Sequence, residues 1–292
     1  MKIYAVDIGG TSIKSGWVED GQVAQTEETE TPARAGGEAV MAAVASILEA
    51  HPGFARIGVS TAGQVDSRTG TIRFANENIP HYTGMRVKER LEKRFGVPVA
   101  VENDVNSAAI GEAHYGAGLG CKNFLCLTYG TGVGGAIFID GRLYPGSSDS
   151  AGEFGHLITH GGGELCGCGG RGCYERYASA SALVRRAMRL DASLNSGRVI
   201  FQHMEDHAVR RIVDDWIQEI VIGLVSLIHI FNPERVLLGG GIMSQPYILD
   251  SVRRYLYDQV MPSYRNVEIY QAQLHNSAGL LGAAWLAAQL PG

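Results

Sequence analysis

A motif that occurs twice constrains this chain most. Lys2 to Val6 reads as a strand and Asp7-Ile8-Gly9-Gly10-Thr11 as a tight turn. Ile13 to Val18 and Gln22 to Glu27 follow as strands joined at Asp20-Gly21. About 120 residues later the order returns. Phe124 to Leu127 is a strand, Thr128 to Gly135 a Gly/Thr turn, Ala136 to Ile139 a strand, and Asp140-Gly141 the next hairpin signal. Two such hairpins imply a duplicated α/β core with a nucleotide between its halves. Each turn offers backbone N–H groups and a Thr hydroxyl to an anion, and Lys14 lies near the first, so both suit phosphate. Asp7 ends its strand in the same space. A carboxylate beside phosphates needs a cation, which implies Mg²⁺. An ordinary glycine-rich hairpin has the same local pattern, and neither turn is a P-loop, which requires G-x4-G-K-[ST] entering a helix.

The second constraint is Glu153 to Glu175, EFGHLITHGGGELCGCGGRGCYE. His156, Cys166, Cys168 and Cys173 are spaced H-x9-C-x-C-x4-C, and three of the five cysteines fall within eight positions. One imidazole and three thiolates close a tetrahedral Zn²⁺ shell, so the metal is expected to be structural. The intervening glycines let the backbone turn tightly around an ion. Glu153 and Glu175 bracket the knot and stay available to another ligand. Loss of the metal is expected to disorder this segment and to spare the nucleotide turns.

Composition narrows the function. The 292 residues carry a net charge of −5 and 45% hydrophobic residues. No basic run suggests nucleic acid, and no apolar run approaches the ~20 residues that cross a bilayer. The N-terminus enters a strand without the order of a secretory signal, so a cytoplasmic location is expected and disulfides are not.

Between the motifs the periodicity predicts helices over 37–50, 86–95, 105–114, 176–189, 205–231, 247–260 and 276–290, with 190–199 a loop. Strands are expected at 56–60, 97–101, 235–238 and 267–271. Asp104, after Glu102-Asn103, reads two ways. It can cap the helix that follows. It can also accept a substrate proton at a strand end, where the helix N-terminus would lower its pKa and keep it ionised. Gly239-Gly240-Gly241 after a strand would let a flat ring lie against the backbone. The small residues of the last helix allow close packing onto the first domain. His51, His81, His203 and His207 read as surface groups. Cys121 and Cys126 read as structural.

Together, Asp7-Ile8-Gly9-Gly10-Thr11, Glu102-Asn103-Asp104, Gly130-Thr131-Gly132-Val133-Gly134-Gly135, Glu153-Phe154-Gly155-His156, C-x-C-G-x-x-G-C-x-E and Gly239-Gly240-Gly241 resemble the ROK family (repressor, ORF, kinase) over essentially the whole chain. The resemblance implies a two-domain actin-like ATPase (ribonuclease H-like) α/β fold with a structural zinc loop. The domains would be residues 1–118 with 277–292, and 119–276. It also implies ATP-dependent phosphorylation of a hexose at the 6-hydroxyl, glucose first and N-acetylmannosamine second. A non-catalytic sugar sensor is the remoter alternative. The family's repressors carry a helix-turn-helix ahead of the first turn, and with that turn at Asp7 a kinase is expected. By the same resemblance Asp104 is the general base, and Asn103, Asp104, Glu153, His156 and Glu175 bind the sugar. Asp7, Gly9, Gly10, Thr11, Lys14, Gly130, Thr131, Gly132 and Gly134 hold ATP phosphates with Mg²⁺. Gly239, Gly240 and Gly241 border adenosine, and His156, Cys166, Cys168 and Cys173 hold Zn²⁺. A cytoplasmic homodimer without nucleic-acid or membrane partners completes the expectation.

Overall fold

A computed structural model describes residues 1–291. The chain forms two compact units, one from Met1–Gly120, Leu143–Ala151 and the C-terminal segment from Asn276, the other from Cys121–Arg142 and Gly152–His275.

In the first unit, β1 (Ile3–Ile8), β2 (Ser12–Glu19) and β3 (Gln22–Glu30) form an antiparallel meander. The turn between β2 and β3 puts Asp20 and Gly21 at positive φ, which suits a two-residue hairpin. After α1 (Gly37–Ala50), β4 (Arg56–Thr61) adds beside β1 in parallel. A small hairpin, β5 (Gln64–Asp66) and β6 (Thr71–Phe74), precedes α2 (Val87–Phe95) and β7 (Val99–Asn103), and α3 (Asp104–Tyr115) follows. The sheet order is β3-β2-β1-β4-β7. β1 and β4 are almost wholly buried, as central strands covered on both faces must be. β3 is an exposed edge carrying Glu27, Glu28 and Glu30, whose charges discourage further pairing.

The second unit repeats this plan with β8 (Phe124–Tyr129), β9 (Val133–Ile139) and β10 (Arg142–Leu143). Four helices follow, α4 (Glu175–Ala178), α5 (Ala180–Leu190), α6 (Gly197–Gln202) and α7 (His207–Phe231). Then come β11 (Arg235–Gly239), α8 (Pro246–Gln259) and β12 (Glu268–Gln271). The order β10-β9-β8-β11-β12 matches the first sheet position for position, with β8, β11 and β12 parallel. The duplication read from the hairpins is therefore a duplication of whole sheets.

The last helix, α9 (Ala278–Gln289), belongs to the first unit and packs on α3, β1 and β4. Small residues permit that approach. A Cβ on Gly282 would fall inside the Ser107 carbonyl, and one on Gly58 inside the Ala283 backbone. Arg56 donates to the carbonyls of Ala287, Ala288 and Leu290 at 2.9, 2.9 and 2.6 Å and closes the open end of α9.

Three local expectations change. The helix over 176–189 is broken at Ser179, whose backbone is extended and whose hydroxyl accepts from Ala182 N–H. The indole N–H of buried Trp216 reaches across the break to the carbonyl of Ala178 at 2.9 Å and to that of Ser179 at 3.0 Å, which also accepts from Leu183 N–H in α5. The loop over 190–199 ends early, because Ser196 caps α6 from Gly197. His51 is no plain surface group: it is half-buried, stacks on Tyr4 at 4.8 Å and pairs with Glu27 at 3.2 Å.

Candidate active site and metal knot

In the first unit the parallel strands end together. Register places Asp7 beside Ser60 and Ser60 beside Glu102, with Ile8, Thr61 and Asn103 one step further on. Ligands of parallel α/β sheets bind at these carboxyl ends. Asp7 Oδ1 accepts from Ser60 Oγ at 2.6 Å, and Lys14 lies directly across the β1–β2 ladder. Burial raises the Asp7 pKa, opposed by the Ser60 bond and the Lys14 charge. The first turn is pinned by Gly9 N–H to the Ser12 carbonyl at 3.0 Å and by Thr31 Oγ to the Gly9 carbonyl at 2.8 Å. Gly10 and Thr11 stand exposed at its tip.

Asn103, rather than Asp104, is the cap of α3: its Oδ1 accepts from the N–H groups of Val105 and Asn106 at 2.9 and 3.1 Å. Its amide donates to the Gly63 carbonyl and to Asp104 Oδ1, both at 2.9 Å. Any ligand reaching that amide must exchange one of those bonds. Asp104, the first residue of α3, also departs from expectation. Its carboxyl is pushed up to about 6, because burial and then the charge of Asp7 outweigh its hydrogen bonds to Val105 and Asn103. Proximity to a helix N-terminus does not decide its charge. Glu102 stood in the sequence motif without a role. It is buried and accepts from Ser67 Oγ at 2.6 Å, Asn103 N–H at 2.8 Å and Asn106 Nδ2 at 3.0 Å. Ser60 meets Asp7 only through the sheet, and Glu102 meets Ser67 only through the hairpin; its two other partners, Asn103 and Asn106, are close in sequence, but its burial is not legible there.

In the second unit Gly130 N–H closes on the Gly132 carbonyl at 3.0 Å, leaving Gly130 and Thr131 exposed. Gly134 lies outside this turn, in β9 opposite Thr128. Gly239 ends β11 beside Thr128, and Gly240, at φ 103°, passes so close to the Tyr129 carbonyl that a Cβ would not fit. The second turn and the Gly239–Gly241 run are thus neighbours.

The ligand atoms of His156, Cys166, Cys168 and Cys173 lie within 4.8 Å of one another. Cys168 and Cys173 sulfurs are 3.6 Å apart, and Cys166 Sγ is 3.7 Å from His156 Nδ1. Sulfurs bound to one tetrahedral zinc at about 2.3 Å sit roughly 3.8 Å apart, so the donor set and spacing fit such an ion. A disulfide would need about 2.05 Å. The knot is laced by Cys166 N–H to the Gly170 carbonyl at 2.8 Å and Gly169 N–H to the Cys166 carbonyl at 3.0 Å. His156 turns its other nitrogen toward Glu153, 3.8 Å away. Glu175, at the start of α4, lies 3.1 Å from Cys166 Sγ.

Paired sheets of one topology, with glycine turns and a carboxylate at the strand ends, define an actin-like ATPase fold, and its Cys3His loop could hold a metal. The chain belongs to the ROK family, whose family model matches residues 3–290. It is 38% identical over 308 residues to a glucokinase of Streptomyces coelicolor, covering 97% of this chain and 96% of that one. A β-glucoside kinase of Listeria innocua is 35% identical over 98% of this chain and 97% of its own. The crystal structure of a ROK family glucokinase from Streptomyces griseus in complex with glucose and AMPPNP superposes with a TM-score of 0.86. Its identity is 34%, over 99% of this chain and 100% of the other.

Proposed function

We propose that the protein is an ATP-dependent sugar kinase that phosphorylates a hexose at its 6-hydroxyl, glucose before N-acetylmannosamine. The observation that carries this reading is Asp104. It is a half-buried carboxylate at the carboxyl end of the parallel strands, with a pKa pushed up to about 6 by burial and the charge of Asp7, which leads into the first glycine turn. A base tuned near neutrality is suited to accept a hydroxyl proton. Phosphoryl transfer asks mostly for positioning and charge neutralisation, because its transition state is loose. Asp104 orients the hydroxyl and takes its proton. Asn103, Glu153, His156 and Glu175 bind the remaining hydroxyls, and a site built from such groups rejects analogues that leave them unpaired. Gly9, Gly10, Thr11, Lys14, Gly130, Thr131, Gly132 and Gly134 receive the ATP phosphates, and Gly239, Gly240 and Gly241 the adenosine. Asp7 would hold Mg²⁺, which neutralises phosphate charge. His156, Cys166, Cys168 and Cys173 would hold Zn²⁺, which orders the loop. The protein would act as a cytoplasmic homodimer.

The glucokinase and β-glucoside kinase relatives support this substrate class. The test is ADP release across glucose, N-acetylmannosamine, fructose, allose and a β-glucoside, with the product's phosphate position read by NMR. Glucose should give the highest kcat/KM and glucose 6-phosphate the product. A higher value for N-acetylmannosamine would reassign the substrate, and no ADP release with any sugar would overturn the kinase reading.

A further inference from the structure

The metal knot and the second glycine turn are packed against each other within one unit. Glu175 stands at the junction. One carboxylate oxygen, Oε1, is 3.1 Å from the Cys166 sulfur. The other, Oε2, lies where a Cβ on Gly132 would have to be. Gly132 is not at positive φ, so its missing side chain reflects space rather than backbone conformation. The chain on the other side of the knot packs on the same hairpin. Phe154 fills the space beside Gly135, and Gly155 approaches the Val133 carbonyl too closely for a side chain. Beneath the turn, buried Tyr129 shares a 2.9 Å hydroxyl–hydroxyl bond with Tyr174, the residue before Glu175.

We propose that Glu175 is a positioning residue for nucleotide: its carboxylate wedges the Gly130–Gly132 turn and links it to the metal knot, so that metal occupancy sets nucleotide affinity even without sugar. The proposal rests on the reading of this turn as a phosphate turn and goes beyond the sugar-binding role assigned to Glu175. It also departs from the sequence-based expectation that metal loss spares the nucleotide turns. The physical reason is continuity of packing. A turn whose N–H groups face phosphate binds well only if its backbone is already held, since ordering it on binding costs conformational entropy. Without metal the Cys166 thiol donates to Glu175 and ties it to the cluster's sulfurs. A metal displaces that proton, but it pins Cys173, two residues before Glu175, and so fixes the start of α4 through the backbone. Without the metal the start of α4 is held less firmly, and the turn loses its fixed wedge.

The test measures Mg-AMPPNP affinity by calorimetry in the absence of sugar, with zinc content read in parallel by elemental analysis. Wild type, Glu175→Ala, Gly132→Ala, the double variant Gly132→Ala/Glu175→Ala and Thr131→Val are compared, each confirmed folded by circular dichroism. Glu175→Ala should weaken AMPPNP about five- to tenfold, the range of ordinary coupling between sites. Gly132→Ala should do the same by displacing the carboxylate, and the double variant should be no worse than either single one, because both remove one contact. Chelation should weaken AMPPNP in the wild type by a similar factor and add little in Glu175→Ala. Wild-type affinity in Glu175→Ala, together with weakened binding in Thr131→Val, would overturn the proposal and leave the phosphate turn standing. Wild-type affinity in both would overturn the assignment of the turn itself. Fully additive losses in the double variant would also overturn the proposal, since the two residues would then act separately.

Discussion

Replacing Asp104 by Asn separates catalysis from stability in one experiment. Burial and the Asp7 charge take this carboxyl from an ordinary 3.8 to about 6. At ~1.4 kcal/mol per pH unit, the ionised form is penalised by roughly 3 kcal/mol in the folded protein. Because the folded pKa is raised, the fold binds this proton more tightly than the unfolded chain does. Its contribution is therefore fully present below about pH 4 and is lost as pH rises to about 6. The substituted amide cannot ionise, and its oxygen can still accept from Val105 N–H and the Asn103 side chain. The variant should thus gain on the wild type by up to about 3 kcal/mol between pH 4 and pH 8, read by urea denaturation at each pH. Turnover should fall by ~10²–10⁴-fold, the usual loss when a positioned acid–base group is removed. The wild-type kcat/KM should show an acid limb near pH 6 that the variant's residual activity lacks. Turnover within a few-fold of wild type would show that the base lies elsewhere. A stability difference that stays flat with pH would show that Asp104 is not held near 6.

Asp7→Asn should lower the Asp104 pKa, because the Asp7 charge is the second cause of its elevation; a carboxyl ¹³C NMR titration without ligands reads this, and an unmoved midpoint would leave burial as the whole cause. Cys168→Ser should release the metal and abolish most sugar phosphorylation while far-UV dichroism stays close to wild type, since the sheets have their own core; full activity in a sample verified metal-free would make the knot incidental. Gly282→Ala should cost about 3 kcal/mol in urea denaturation, because its methyl enters the Ser107 carbonyl and pushes α9 off α3. Gly161→Ala, with open space around it, should stay within about 0.5 kcal/mol of wild type, and equal losses at the two sites would refute the packing argument.

What the sequence determined by itself is local chemistry. The Asp20-Gly21 and Asp140-Gly141 turns, the α1 span Gly37–Ala50 and the Cys3His spacing each depend on residues close together in the chain. The small residues of α9 likewise announced a close approach before its partners were known. Tertiary structure decided whatever depends on partners far apart. The charge of Asp104 follows from burial first and then from Asp7, neither of which a cap signal records. The helix break at Ser179 is bridged by Trp216 from α7, whose indole N–H reaches the carbonyls of Ala178 and Ser179. Glu102 becomes a threefold acceptor only when β7, α3 and the β5–β6 hairpin converge. Glu175 meets Gly132 only when the knot folds back onto the β8–β9 turn. Propensity and spacing act over a few residues and can be read in order, whereas desolvation, Coulomb interaction and steric contact act through space and require the fold.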